Sequence, residues 1–112
     1  EHRPLRTSTL ISIQFGQTTT VTGVSQNHND RVFYSFVAPR SGRLTVVVES
    51  PNGQFAQAEV ENARTSIDVL ETDPNDGINT ASGLVEGGTT YFLRMRAPRN
   101  TPTPFVVRLT LS

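Results

Sequence analysis

DRVFYSFVAPRSGRLTVVV, residues 30–48, holds two runs of strict period-2 alternation with a break between them. Val32, Tyr34 and Phe36 alternate with Phe33, Ser35 and Val37. Leu44, Val46 and Val48 alternate with Thr45, Val47 and Glu49. A half-buried β-strand puts successive side chains on opposite faces, so each run reads as a strand with one apolar face. Ala38-Pro39-Arg40-Ser41-Gly42 separates them, with Pro pre-set for the second position of a turn and Gly available for a positive φ. The stretch predicts a β-hairpin, and an all-β chain around it.

The rest of the chain repeats this grammar. Ile11, Ile13 and Phe15 alternate with Ser12 and Gln14 and predict a first strand. Thr18–Val24, rich in Thr and Val, predicts a polar strand for a sheet edge or a face open to solvent. Phe55–Ala63 has helix-favouring residue types, but Ala56, Ala58 and Val60 alternate with Gln57, Glu59 and Glu61. The alternation decides for strand. Ile67–Leu70 is a further short strand, ended by turn formers from Asp73 to Gly77. Glu86-Gly87-Gly88 is a tight turn. After it Tyr91, Leu93 and Met95 face one way and Phe92, Arg94 and Arg96 the other. Ala97–Pro104 is a proline-rich loop, and Phe105, Val107, Leu109 and Leu111 form a last inward face. Ser50-Pro51-Asn52-Gly53 is another turn, and residues 1–8 an arm or linker. Eight or nine short strands with turn signals every 8–12 residues predict an antiparallel β-sandwich of jelly-roll or Greek-key type without substantial helix.

Composition narrows the functions. The 112 residues make one domain of 12.3 kDa, large enough to bury a core of its own. Ten basic and ten acidic residues balance, and every basic residue is Arg. That neutrality argues against nucleic acid as partner, and no basic amphipathic run or long apolar stretch points to membrane insertion. With no cysteine there is neither disulfide framework nor thiolate chemistry. The opening Glu1-His2-Arg3-Pro4 reads as the cut end of a mature secreted chain or of a domain excised from a longer exported protein.

Particular residues carry a resemblance to a family. Asp30, Tyr34-x-Phe36, Ser41-Gly42-x-Leu44-Thr45-Val46, the run Gly87-Gly88-Thr89-Thr90-Tyr91-Phe92-Leu93-Arg94-Met95 and the closing Phe105-Val106-Val107-Arg108-Leu109 resemble the bacterial pre-peptidase C-terminal domain, over roughly residues 30–111. That family is similar in fold to the collagen-binding domains of clostridial collagenases. The resemblance implies a β-sandwich appended to an exported bacterial enzyme or surface protein. Such a module is secreted, at the cell surface or periplasmic, is not itself an enzyme, and serves secretion, processing or attachment. The chain departs from the family where some members hold calcium with an acidic segment before the first strand. Here that place reads Glu1-His2-Arg3-Pro4-Leu5-Arg6, with a single carboxylate.

Several groups of side chains are candidates for chemistry. Ser25, His28 and Asp30 contain the residue types of a hydrolase triad, yet one short loop does not supply the separate rigid supports and oxyanion hole that a triad needs. A capped polar loop is the better reading, and no catalytic residue is assigned. Asp73 and Asp76 are the candidate calcium ligands, out of register for an EF-hand because Gly77 falls fifth. Otherwise no cofactor is expected. Phe33 and Phe92, opposite the core faces, are the candidate ligand-binding rings. Arg94 and Arg96, with Arg108 beside them, could grip an acidic partner or pair with Glu and Asp from neighbouring strands. The expected partners are domains of a parent polypeptide, a polysaccharide or an extracellular protein. A carbohydrate- or matrix-binding module that targets an attached enzyme is the alternative to an accessory domain.

Overall fold

The computed structural model describes residues 8–49 and 54–112; the expected arm and the turn at residues 50–53 fall outside them, apart from Ser8. Among the described residues nine strands form two sheets. The first holds β1 (Thr9–Leu10), β3 (Val32–Val37), β8 (Thr90–Arg96), β5 (Gln57–Asn62) and β6 (Asp68–Glu71), side by side in that order. The second holds β2 (Thr18–Ser25), β9 (Thr103–Leu111), β4 (Gly42–Val48) and β7 (Thr80–Val85). All pairs are antiparallel except β1 with β3. The sandwich predicted from alternation is the observed fold, and its regular helical content among the described residues is one 3-10 turn, Pro74–Asp76.

The hairpin over residues 30–48 is not formed. β3 lies between β1 and β8 in the first sheet, and β4 between β9 and β7 in the second. The four-residue connection, residues 38–41, is an arch from one layer to the other. Alternation records that a strand has one buried face, but it does not record which of two facing sheets holds it. Stacked sheets lie about 10 Å apart and paired strands about 4.8 Å, and a short connection can bridge either gap. Local chemistry selects the arch. Ala38 is buried and its N–H and C=O pair with Thr89 and Gly88 at the start of β8, while Pro39 has no N–H to continue the ladder. Gly42 does not take a positive φ; it is needed because a Cβ there would lie 2.7 Å from the Ser112 carbonyl oxygen.

Crossing is the rule in this chain. Of the strand connections only β5 to β6 joins neighbours within a sheet. The β7–β8 turn is a second arch, stacked on the first: Gly87 N–H donates to Ser41 Oγ at 2.9 Å, and Glu86 N–H to the Tyr91 hydroxyl at 2.9 Å. The predicted first strand is also corrected. Ile11–Phe15 crosses from the first sheet to the second as irregular chain, with a backbone bridge to β9 where Phe15 meets Leu111. Its alternation survives in part, because Ile13 is buried and Ile11 packs against the core, whereas Phe15 lies on the surface under the Arg40 guanidinium, 4.0 Å from its ring centre.

The core between the sheets is made of the predicted inward faces. Tyr34 and Phe36, Leu44, Val46 and Val48, Ala58 and Val60, Tyr91, Leu93 and Met95, and alternate residues of β9 from Phe105 to Leu111 are all buried. Phe36 stacks on Tyr91 with ring centres 5.7 Å apart, and Tyr34 meets Phe105 edge-on. β2 is an edge strand with exposed Thr, as its polarity predicts. At the opposite side β6 and β7 close the sandwich at a corner so tight that a Cβ on Gly83 would lie 2.6 Å from Val69 Cγ1.

Candidate functional site

The outward side chains of the first sheet divide its surface into two halves. Registers place Leu10, Ser35, Phe92 and Glu61 in one row across β1, β3, β8 and β5, and Phe33, Arg94, Glu59 and Glu71 in the next, across β3, β8, β5 and β6. The β1–β3 side is apolar. Leu10 is 77% exposed and Val37 50% exposed, and the half-buried rings of Phe33 and Phe92 meet edge to face at 6.1 Å and 76°. The β5–β6 side is ionic, with Arg94 at the boundary. Phe33, Phe92, Arg94 and Arg96 therefore share one solvent-facing surface, as their positions in sequence predict.

Glu59 and Glu61 make this surface unusual. They are only 8% and 4% exposed, although both point away from the core. Arg94 donates to Glu59 through Nη2, and its Nη1 lies 3.8 Å from Glu61 Oε1. Carboxylates shielded to this extent need a compensating cation, since desolvation of an isolated charge costs several kcal/mol. Glu71 accepts from Gln57 Nε2 at 3.2 Å. Acidic partners for the arginines were expected in general; these two were not singled out, because β5 and β8 are separated in sequence and only the fold pairs them. Arg108 does not join the group. It lies on β9 in the second sheet and pairs with Glu49.

Ser25, His28 and Asp30 hold a loop rather than forming a triad. Ser25 Oγ is fully buried; it donates to the Asp30 carbonyl at 2.6 Å and accepts from Ala97 N–H at 2.8 Å. Asp30 Oδ2 accepts from Gln26 N–H, and Asn27 Oδ1 from Asn29 N–H. His28 has its hydrogen-bond partners elsewhere, on β8 and just after it. Its Nδ1 lies 3.1 Å from the Ala97 carbonyl and its Nε2 2.9 Å from Arg96 Nη2. A carbonyl and a guanidinium at the two nitrogens fix the neutral tautomer with the proton on Nδ1.

Asp73 caps the 3-10 turn, Oδ1 accepting from Asn75 N–H at 3.1 Å, and Gly77 closes it in the left-handed region. Asp76 is exposed on that turn. Among the described residues, the carboxylates whose oxygens converge within 4.8 Å are those of Glu59, Asp68 and Glu71. A hollow of about 450 Å³ lies between the β5–β6 loop and the Gly88 arch and is lined by Asn62, Ala63, Arg64, Gly88, Thr89 and Thr90. It is remote in register from the Phe33–Arg94 row. Two smaller clefts lie at the opposite end, beside His28 and Arg96.

Neither a family model nor any curated protein sequence matches this chain. Solved structures do. The pre-peptidase C-terminal domain of collagenase from Bacillus anthracis superposes with a TM-score of 0.65 over 100% of both chains, at 14% identity. PliG from Aeromonas hydrophila, a periplasmic lysozyme inhibitor of g-type lysozyme, gives 0.68 over 93% of this chain and 96% of its own, at 16% identity. The Yersinia pseudotuberculosis-derived mitogen gives 0.61 over 88% of each, at 16% identity. At such identities the likeness is one of fold, so the resemblance read from the Gly-Gly-Thr-Thr-Tyr-Phe and Ser-Gly-x-Leu-Thr-Val segments holds at that level: the chain has the β-sandwich fold of a pre-peptidase C-terminal domain.

Proposed function

We propose that this chain is a non-catalytic binding domain of an exported bacterial protein, and that it contacts a protein surface through the outer face of its first sheet. The observation that carries the reading is the coexistence on that face of exposed apolar side chains, Leu10 and Val37 with the Phe33–Phe92 pair, and a shielded ion cluster, Glu59–Arg94–Glu61. Aromatic and Arg side chains are enriched at the centres of protein interfaces, where burial strengthens both contributions. The face is less suited to stacking a sugar chain, because rings at 76° to one another do not make a flat platform.

The fold neighbours support export and a binding role in general terms. The narrower activity of PliG is not carried over at 16% identity. Two experiments test the reading. Immunoblots of fractionated source cells should place the native protein in the medium, at the surface or in the periplasm; a wholly cytoplasmic protein overturns export. The size of the same band tells whether the partner surface belongs to the parent polypeptide or to a separate protein. Immobilised domain carrying Leu10→Ser and Phe92→Ser should lose a prey protein that the wild type retains from the same fraction, and equal retention overturns the assignment of the face.

A further inference from the structure

At the end of the sandwich where β2, β6 and β8 finish, the loops that follow them, with Gln54 and Phe55 ahead of β5, line two adjoining clefts. One, about 120 Å³, is lined by His28, Gln57, Asp73, Arg96, Ala97 and Pro98 together with Pro74 and Asn75; the other, about 130 Å³, by Gln54, Phe55, Arg99 and the shared Pro74, Asn75 and Pro98. Each has one arginine. The Arg96 Nε proton is buried without an acceptor among the described residues, where the one acceptor on its guanidinium is His28 Nε2, an uncharged atom. No carboxylate among the described residues pairs with Arg96. Asp73, the one acid on the cleft wall, commits Oδ1 to capping Asn75.

We infer that this double cleft binds a carboxylate carried on a peptide chain. The charge argument comes first. Arg96 is a cation with no carboxylate partner among the described residues and its remaining donors face the cleft, and with Arg99 exposed on the adjoining lobe it attracts a carboxylate in preference to a neutral group. His28 strengthens this by orientation. Because Nδ1 is tied to the Ala97 carbonyl, Nε2 must accept, and it holds the Arg96 head at the cleft wall rather than in solution.

Size then separates a peptide from a free metabolite. Small-molecule sites usually enclose about 300–1,000 Å³. A lobe of about 120 Å³ falls well below that range and suits one short side chain, such as a carboxylate and its methylene. Two lobes joined through Pro74, Asn75 and Pro98 suit consecutive short side chains of an extended segment, and the Gln54, Gln57 and Asn75 amides on their walls suit its backbone. The ligand is thus an acidic peptide segment, with one carboxylate on Arg96 and its neighbour towards Arg99.

The test is a nitrogen-15 NMR titration of the whole chain with acetyl-Gly-Asp-Asp-Gly-amide, its Asn-Asn analogue and sodium acetate. The peptide uses only the cleft, so the result stands apart from that of the sheet-face experiment. Expected is saturable movement of the His28, Asn75, Ala97 and Arg99 amides with the Asp peptide, at least tenfold weaker movement with the Asn analogue, and at least tenfold weaker binding in Arg96→Gln and in Arg99→Ser. The amide spectra of those variants report at once whether each is folded, and Arg99, exposed in its loop, serves should Arg96→Gln fail to fold. Three results overturn the inference: no saturable shifts, equal response to the Asn peptide, or binding unchanged in both variants. Acetate as effective per carboxylate as the peptide overturns the peptide source and leaves a free-acid site.

Discussion

Replacing Arg94 by Met removes the cation from a pair of carboxylates that the fold has already taken out of water. Glu59 and Glu61 are on one strand face two positions apart, with side chains 10% and 5% exposed, and Arg94 is 21% exposed. Breaking a buried pair by deleting one partner costs about 3–5 kcal/mol. The exposed fifth of Arg94 lets solvent screen part of this, so about 2–4 kcal/mol is expected. A domain of this length has a net stability of roughly 6–17 kcal/mol, and the variant should therefore still fold. At about 4 °C per kcal/mol, the midpoint should fall by roughly 8–16 °C. Urea and thermal unfolding followed by circular dichroism measure both quantities, since the chain has no Trp. Adding Glu59→Gln and Glu61→Gln to Arg94→Met should recover at least about half of the loss, because neutral amides need no counter-charge. A single variant within about 0.5 kcal/mol of wild type, or a triple variant that loses still more, would refute the claim that the cluster is desolvated and mutually dependent.

Ser25→Ala should cost about 1–3 kcal/mol in urea unfolding, because the buried Ala97 N–H loses its acceptor, and hydrogen exchange at Ala97 should accelerate. Gly83→Ala should cost about 1–3 kcal/mol by thermal unfolding, since the new methyl meets Val69 where β6 and β7 close the sandwich. Burial raises the Tyr34 hydroxyl above its ordinary value of 10.0. Its contribution is accordingly full below about pH 10 and is lost as pH rises through the higher folded value, because the unfolded chain releases this proton first. Stability measured from pH 8 to 11 should therefore fall above about pH 10, and less steeply in Tyr34→Phe.

Much of this surface was legible in the sequence. Alternation assigned Tyr91, Leu93 and Met95 to the core and Phe92, Arg94 and Arg96 to the outside, and it overrode helix propensity in β5. These are local properties of one strand. What depends on which strands meet was not legible. The residues from Asp30 to Val48 read as a hairpin, and the arch that forms instead depends on Thr89, Gly88 and Ser112 far along the chain. Glu59 and Glu61 were part of the evidence for a strand, but their burial arises from β8 and β6 on either side. His28 attracted notice for neighbours at Ser25 and Asp30, and its actual partner is Arg96, 68 positions away. Ile11–Phe15 shows the converse case: its side chains alternate to reach the core while its backbone leaves one sheet for the other.

The account stands most directly on which face meets the partner. A photo-crosslinking phenylalanine analogue at position 92 marks the outer face of the first sheet, and the same analogue at position 20 marks the outer face of the second. On irradiation of producing cells, position 92 should yield a discrete crosslinked protein product and position 20 none. A product from position 20 alone, or none from either, would contradict the proposed binding surface.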